Sequence, residues 1–285
     1  MKSLKNGCIN SKTKVINGIV KVGKRIGQES VYGEVYEGCY SAKKDCSLKI
    51  AIKKIPFTRE LISNIDTELT IINLANFLLK KKVSPHLPVV FGSYICKRDK
   101  SILVTNELAI GDLKYFMTEV KPSVKIMRRL YFQIFTGIYV MKKYFGINHN
   151  DLHWGNVLIH KVRKENSYTR YKINGKYYYI KNYGYIPVLW DFGLSIISGN
   201  KANLEDYHRI ISMLSKDSEQ TSDDYDSLGK ELETMLNKSK NIYDFFDKNS
   251  SRINEKENNI RVTQDYNLDK KVTSKDPMIK NFLVG

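Results

Sequence analysis

The chain has 285 residues, 42% of them hydrophobic, and a formal net charge of +17. This apolar content excludes a disordered chain and supplies core for one two-part domain, while no apolar run approaches the ~18 residues of a membrane span. The charge admits an acidic partner such as nucleic acid, chromatin or an anionic membrane surface, but Lys far outnumbers Arg and Asn, Ile and Tyr are abundant, which points to the coding bias of an AT-rich genome rather than to a basic patch.

Residues 1–20 read as a loose leader without the apolar stretch of a signal peptide, so a soluble intracellular protein is expected. Gly27 and Gly33, with Ile26 and Val35, then form a glycine-bearing stretch in which the backbone can come close to phosphates; alone it is no stronger a signal than an ordinary hairpin. Lys49–Ile55 alternates β-branched residues and is closed by Pro56, so it reads as a strand with Ala51 and Lys53 on one face. Solubilising edge lysines are the plainer reading, and that reading suits Lys49 and Lys54 better. From Arg59 to Lys80, Leu61, Ile65, Leu69, Ile72 and Leu79 recur at helical spacing, which predicts an amphipathic helix with Glu68 beside its apolar stripe; Glu60 is the competing carboxylate.

Ile102–Leu108 is strand-like and runs into Ile110-Gly111-Asp112-Leu113, where a surface turn accounts for Gly111-Asp112 almost as well as a binding role does. Ser123 is placed to cap a helix carrying Ile126, Leu130, Ile134, Ile138 and Met141. That helix leads into His149-Asn150-Asp151-Leu152-His153-Trp154-Gly155-Asn156-Val157-Leu158. The next segment, 171–187, reads as a hairpin about an Asn174-Gly175 turn and ends at Trp190-Asp191-Phe192-Gly193-Leu194. Asp206 follows closely, either as an anchor for the earlier loop or as a helix-terminal acid near the dipole. Beyond Ser215 one further amphipathic stretch spans Leu228 to Phe246. The four cysteines lack C-x-x-C spacing or clustered His partners and are expected as ordinary reduced thiols.

Together these segments resemble the eukaryotic-type protein kinases. His149–Asn156 is similar to the catalytic loop H-R-D-L-x-x-x-N, Asp191-Phe192-Gly193 to D-F-G, and Ile50–Lys53 to V-A-I-K. His153-Trp154-Gly155-Asn156 and the hairpin insert resemble the haspin-like branch, and with the AT-rich bias point to a kinase of a large DNA virus. The resemblance implies an α+β, two-lobed fold, with an N-lobe at 21–108 and a C-lobe at 109–285. It implies Mg-ATP as cofactor, a protein substrate, transfer to Ser or Thr, and a monomer.

It also implies roles. Lys53 clamps the phosphates and Glu68 orients it, Asp151 takes the hydroxyl proton, His153 stands where a lysine usually supports the γ-phosphate, and Asn156 and Asp191 hold magnesium. Ile26, Gly27, Gly33, Val35, Ala51, Glu107, Ala109, Asp112 and Leu158 line the nucleotide, with Asn106 as gatekeeper. The chain departs from the pattern in four places: an extra residue and a missing middle glycine in the glycine loop, Asn150 in place of Arg, a D-F-G that haspins lack, and no A-P-E. A binding-only pseudokinase and a small-molecule phosphotransferase remain as rivals; a P-loop enzyme does not, because no G-x-x-x-x-G-K-[ST] occurs.

Overall fold

The computed structural model describes residues 5–9, 15–18, 20–30, 33–40, 46, 48–57, 62–163, 166–198, 204–215, 222–253, 260–275, 279–280 and 283. Glu60 and Leu61 lie outside them, as do the side chains of residues 27–30. The chain divides into two compact units, one of residues 1–76 and 88–109, the other of 77–87 and 110–285.

The first unit is a seven-stranded sheet and a helix. In chain order its strands are β1 (Lys5–Asn6), β2 (Val15–Ile16), β3 (Val20–Ser30), β4 (Gly33–Tyr40), β5 (Lys49–Pro56), β6 (Val90–Cys96) and β7 (Ser101–Glu107), arranged β1-β6-β7-β5-β4-β3-β2. Helix α1 (Ile62–Lys80) lies between β5 and β6 in sequence; it gives residues 62–76 to this unit, where Ile65, Leu69 and Ile72 are buried. In β3, five residues from Ile26 to Ser30 face only three from Val35 to Gly33, so the surplus in the glycine stretch is absorbed as a bulge. Gly33 is fixed by packing whatever else it does: its φ is +134° and a Cβ there would lie 2.3 Å from the Lys54 carbonyl oxygen.

Two expectations are corrected here. The supposed leader belongs to the sheet: β1 pairs parallel with β6, β2 pairs with β3, and Ile16 and Val20 are wholly buried with Ile50, Ile52 and Leu103. Strands of two residues carry too little pattern to be read as strands. The cysteines, in turn, are bridged, Cys8 to Cys96 and Cys39 to Cys46. The Gly7 N–H donates to the Ile95 carbonyl and lays Cys8 beside Cys96, 88 residues away in sequence; spacing rules do not register so distant a partner. Cys39 and Cys46 close the β4–β5 loop, which the Tyr40 N–H also ties to the Leu48 carbonyl.

The second unit is built round α3 (Val124–Phe145), apolar enough to be buried along most of its length. Ser123 stands at its N-cap position without a side-chain cap bond, its carbonyl accepting from Ile126 and Met127. Before it come β8 (Gly111–Asp112) and the short α2 (Leu113–Tyr115); after it come β9 (Ile147–Asn148), β10 (Val157–Lys161), β11 (Tyr168–Ile173), β12 (Lys176–Lys181), β13 (Tyr185–Leu189) and β14 (Ile196–Ile197). Helices α4 (Glu205–Ser212), α5 (Asp223–Asn237) and α6 (Ile242–Ser251) and strand β15 (Val262–Asn267) complete it. The strands form three small sheets: β13-β10-β8, β12-β11-β15 and β14-β9. Asn174 and Gly175 take φ of 49° and 78°, the doubly positive pair of a tight hairpin turn between β11 and β12. Aromatic packing of Phe132, Phe135 and Tyr139 of α3 on Phe246, Phe245 and Tyr243 of α6 supplies much of the core. No helix among the described residues is long and apolar enough to cross a membrane.

Candidate active site

In the first unit, β5 alternates, so Ala51 and Lys53 share a face, and α1 brings Glu68 to it. The Lys53 ammonium lies 2.9 Å from Glu68 Oε1, with the two residues only 6% and 4% exposed. A pair this deep is held less by its own net stability than by the penalty of separating it: losing one partner leaves a buried charge, at about 3–5 kcal/mol. On the same face Asn106 sits opposite Ala51 and Val35 opposite Lys53. The Asn106 amide donates to the Glu107 carbonyl (2.9 Å), and burial raises the Glu107 carboxyl above its ordinary range.

In the second unit the segment 149–156 is fixed from three directions. Asp206, buried in the first turn of α4, accepts both the His149 N–H (2.7 Å) and the Asn150 N–H (3.0 Å), one on each carboxylate oxygen. The sequence left its role open, and the structure gives it the backbone of the loop. Asn150 adopts φ 61°, a left-handed conformation that Asn enters more easily than Arg does. From behind, the His149 ring donates through Nε2 to the Trp190 carbonyl (2.8 Å) and packs on Phe192, and burial holds its imidazole below the ordinary value. Finally, β14 pairs with β9, placing Ile196 opposite Asn148.

The register of β10 on β13 does the rest. Val157 pairs with Leu189 and the Trp190 N–H donates to the Asn156 carbonyl (2.9 Å), which sets Asn156 beside the residue that precedes Asp191. The Asn156 amide donates to the Asp151 carbonyl (2.7 Å) and to its carboxylate (3.2 Å). With Nδ2 so engaged, Oδ1 is the atom left for a cation. Asp191 takes φ 60°, an uncommon conformation that costs energy and is found where a side chain must be aimed. Carboxylate and amide oxygens are the hard donors that magnesium prefers.

His153 Nδ1 accepts the Gly155 N–H (3.1 Å), so the neutral ring carries its proton on Nε2, which lies 3.9 Å from the Asp151 carboxylate. Gly155 gives that ring room, since a Cβ would lie 2.8 Å from its Cε1. Asp112 caps α2 by accepting the Tyr115 N–H (2.7 Å) and pairs with Leu158 across β8 and β10. Asp112 is thus occupied as a helix cap at the turn.

The "Haspin like kinase domain" family model matches residues 7–270. Among curated proteins, the chain is 25% identical over 214 residues to "Probable serine/threonine-protein kinase 380R" of Invertebrate iridescent virus 6, a match covering 69% of this chain and 40% of that protein. It is 26% identical over 173 residues to "Uncharacterized protein 209R" of the same virus, covering 58% of this chain and 16% of that one. The chain thus spans well under two thirds of either relative. With the family model running from just after β1 to just past β15, the chain belongs to the haspin-like kinase domain family.

Proposed function

We propose that the chain is a serine/threonine protein kinase that moves the γ-phosphoryl group of Mg-ATP onto a protein hydroxyl. The observation that carries this reading is the fixed loop of the second unit, where Asp206 clamps the backbone and the β10–β13 register sets Asn156 against Asp151. Bound Mg-ATP would supply the phosphoryl group and the cationic charge that balances it. Asn156 Oδ1 and the Asp191 carboxylate would hold the metal, and Ile26, Gly27, Gly33, Val35, Ala51, Glu107, Ala109, Asp112 and Leu158 would line the nucleotide. Lys53, kept in place by Glu68, neutralises phosphate charge. Asp151 accepts the proton of the attacking hydroxyl while the Asn156 amide holds its carboxylate in position. The His153 Nε2–H offers one hydrogen bond where a lysine would bring a full charge, so phosphate neutralisation falls more heavily on Lys53 and the metal.

The protein incubated with labelled ATP, magnesium, generic proteins and small alcohols should label protein, with phosphoserine or phosphothreonine recovered on hydrolysis. Asp151→Asn should reduce the rate at least about a hundredfold with an unchanged melting temperature. Labelling of the alcohols alone would make the chain a small-molecule phosphotransferase. No transfer, with Mg-ATP still raising the melting temperature, would make it a binding module.

A further inference from the structure

The three-stranded sheet β12-β11-β15 has two unlike faces. One carries Tyr171, Ile173, Tyr178 and Ile180, all buried against the core. The other presents Arg170, Lys172, Tyr177 and Tyr179, all exposed or half-buried, with Tyr168 buried at its far end. A face in contact only with water has no need of aromatic rings, yet Tyr177 is 50% exposed. Its ring is held by cations, with the Arg170 guanidinium 4.9 Å and the Lys172 ammonium 5.6 Å from its centre. Arg170 is fixed in turn by two bonds to Asp265. Lys172 meets no carboxylate within ion-pair distance among the described residues.

The cationic surface continues past the hairpin turn. The chain leaving β15 is tied down by the Leu268 N–H on the Lys172 carbonyl and by Asp269, which accepts both N–H groups of the Asn174-Gly175 turn. Lys270 then reaches the Lys81 carbonyl at the end of α1 (2.9 Å). Exposed Lys80, Lys81, Lys82, Lys270 and Lys271 thereby gather at the turn end of the sheet, and Asp269 is engaged with Lys143 as well as the turn.

We propose that this outer sheet face and the lysines at its turn end bind single-stranded nucleic acid, with a base stacked on Tyr177 and phosphates on Lys172, Lys270 and Lys271. An exposed ring braced by cations is the arrangement that reads unpaired bases without regard to sequence, and the surrounding lysines match a phosphate chain. An acidic peptide would use the lysines and leave the ring idle. A bilayer surface would call for apolar wedges, and Tyr177 is the one large exposed hydrophobic of this sheet among the described residues. The surface shares no residue with the phosphotransfer site and does not depend on the reading of that site.

Fluorescence anisotropy of the full chain with labelled oligothymidylate and oligouridylate of about 20 nucleotides, and with a duplex of equal length, tests this. Binding should favour the single strands and weaken steeply with salt. Tyr177→Ala should weaken it about tenfold while Tyr177→Phe stays near wild type, because stacking needs the ring and not the hydroxyl. Lys172→Ala with Lys270→Ala should flatten the salt dependence, and Asp151→Asn should bind as wild type. The melting temperature of each variant separates lost binding from lost folding. The proposal is overturned if no oligonucleotide binds, if Tyr177→Ala binds as tightly as wild type in a folded protein, or if polyglutamate or phosphatidylserine vesicles compete equally with the single strands.

Discussion

Asp206 satisfies two backbone N–H groups with one side chain, and both belong to the loop that carries Asp151. Asp206→Ala would leave two amides unpaired, one on buried His149, at about 1–3 kcal/mol each. The expected outcome is a lower melting temperature together with a loss of transfer; an active, equally stable variant would show that the loop holds itself. His86 is a second single residue with a global effect. Fully buried, it donates through Nδ1 to the Pro187 carbonyl and accepts the Tyr171 hydroxyl at Nε2, and burial pushes its imidazole down to about 4. Because the folded value lies below the unfolded one near 6.5, the unfolded chain binds the extra proton between them. Stability is therefore full above about pH 6.5 and is lost as pH falls towards 4, by about 3 kcal/mol in all. His160, also pushed down to about 4 by burial, adds in the same direction. Melting temperature followed from pH 7.5 to 4.5 should fall less steeply in His86→Gln than in wild type.

Among the elements, those with a strong period were legible in the sequence. The apolar stripe of α1 could be read because the helix turns its polar positions outward, β5 because its β-branched run ends at Pro56 although both of its faces are buried, and the Asn174-Gly175 turn because few residue pairs accept two positive φ values. The extra residue of the glycine stretch was legible and is taken up as the bulge in β3; the two-residue strands were not, because they arise from pairing with distant chain and leave no local pattern. Asp206 stayed ambiguous for the same reason: nothing near it in sequence tells a helix-terminal acid from a clamp on a loop 56 residues upstream. Gly33→Ala would test the hairpin of β3 and β4. The added methyl meets the Lys54 carbonyl in a backbone region that alanine avoids, so a lower melting temperature and weaker nucleotide binding are expected. The segment after Asp191 is held by its own serines. The Ser195 hydroxyl donates to the His149 carbonyl and is buried, and Ser198 accepts from Asn148. Protein made in bacteria and treated with phosphatase should therefore keep its transfer activity; a large loss would reveal a switch that lies elsewhere.

For the molecule as a whole, the bridges change what conditions it tolerates. Cys8–Cys96 closes a loop of 88 residues, for which the loss of unfolded-chain entropy corresponds to about 4 kcal/mol. Reductant should lower the melting temperature, and Cys8→Ser should reproduce most of the effect; an insensitive protein would mean that the sheet alone fixes β1 to β6. The reduced thiols expected from cysteine spacing are replaced by a fold in which all four are paired, a state that needs oxidising conditions or a catalyst of thiol oxidation to form.

The parallel strand β15 has a consequence for how the chain is made. It pairs with β11 some 95 residues after β11 itself has been synthesised, and only then are Tyr171 and Tyr266 stacked and the turn at Asn174-Gly175 capped by Asp269. On the ribosome the hairpin must wait, lacking its third strand, while three helices emerge between. Such a late, non-local closure sets the folding rate more than any local propensity does. Nascent chains stalled before residue 262 should remain sensitive to protease across 168–181, and those released beyond residue 270 should become resistant in a single step.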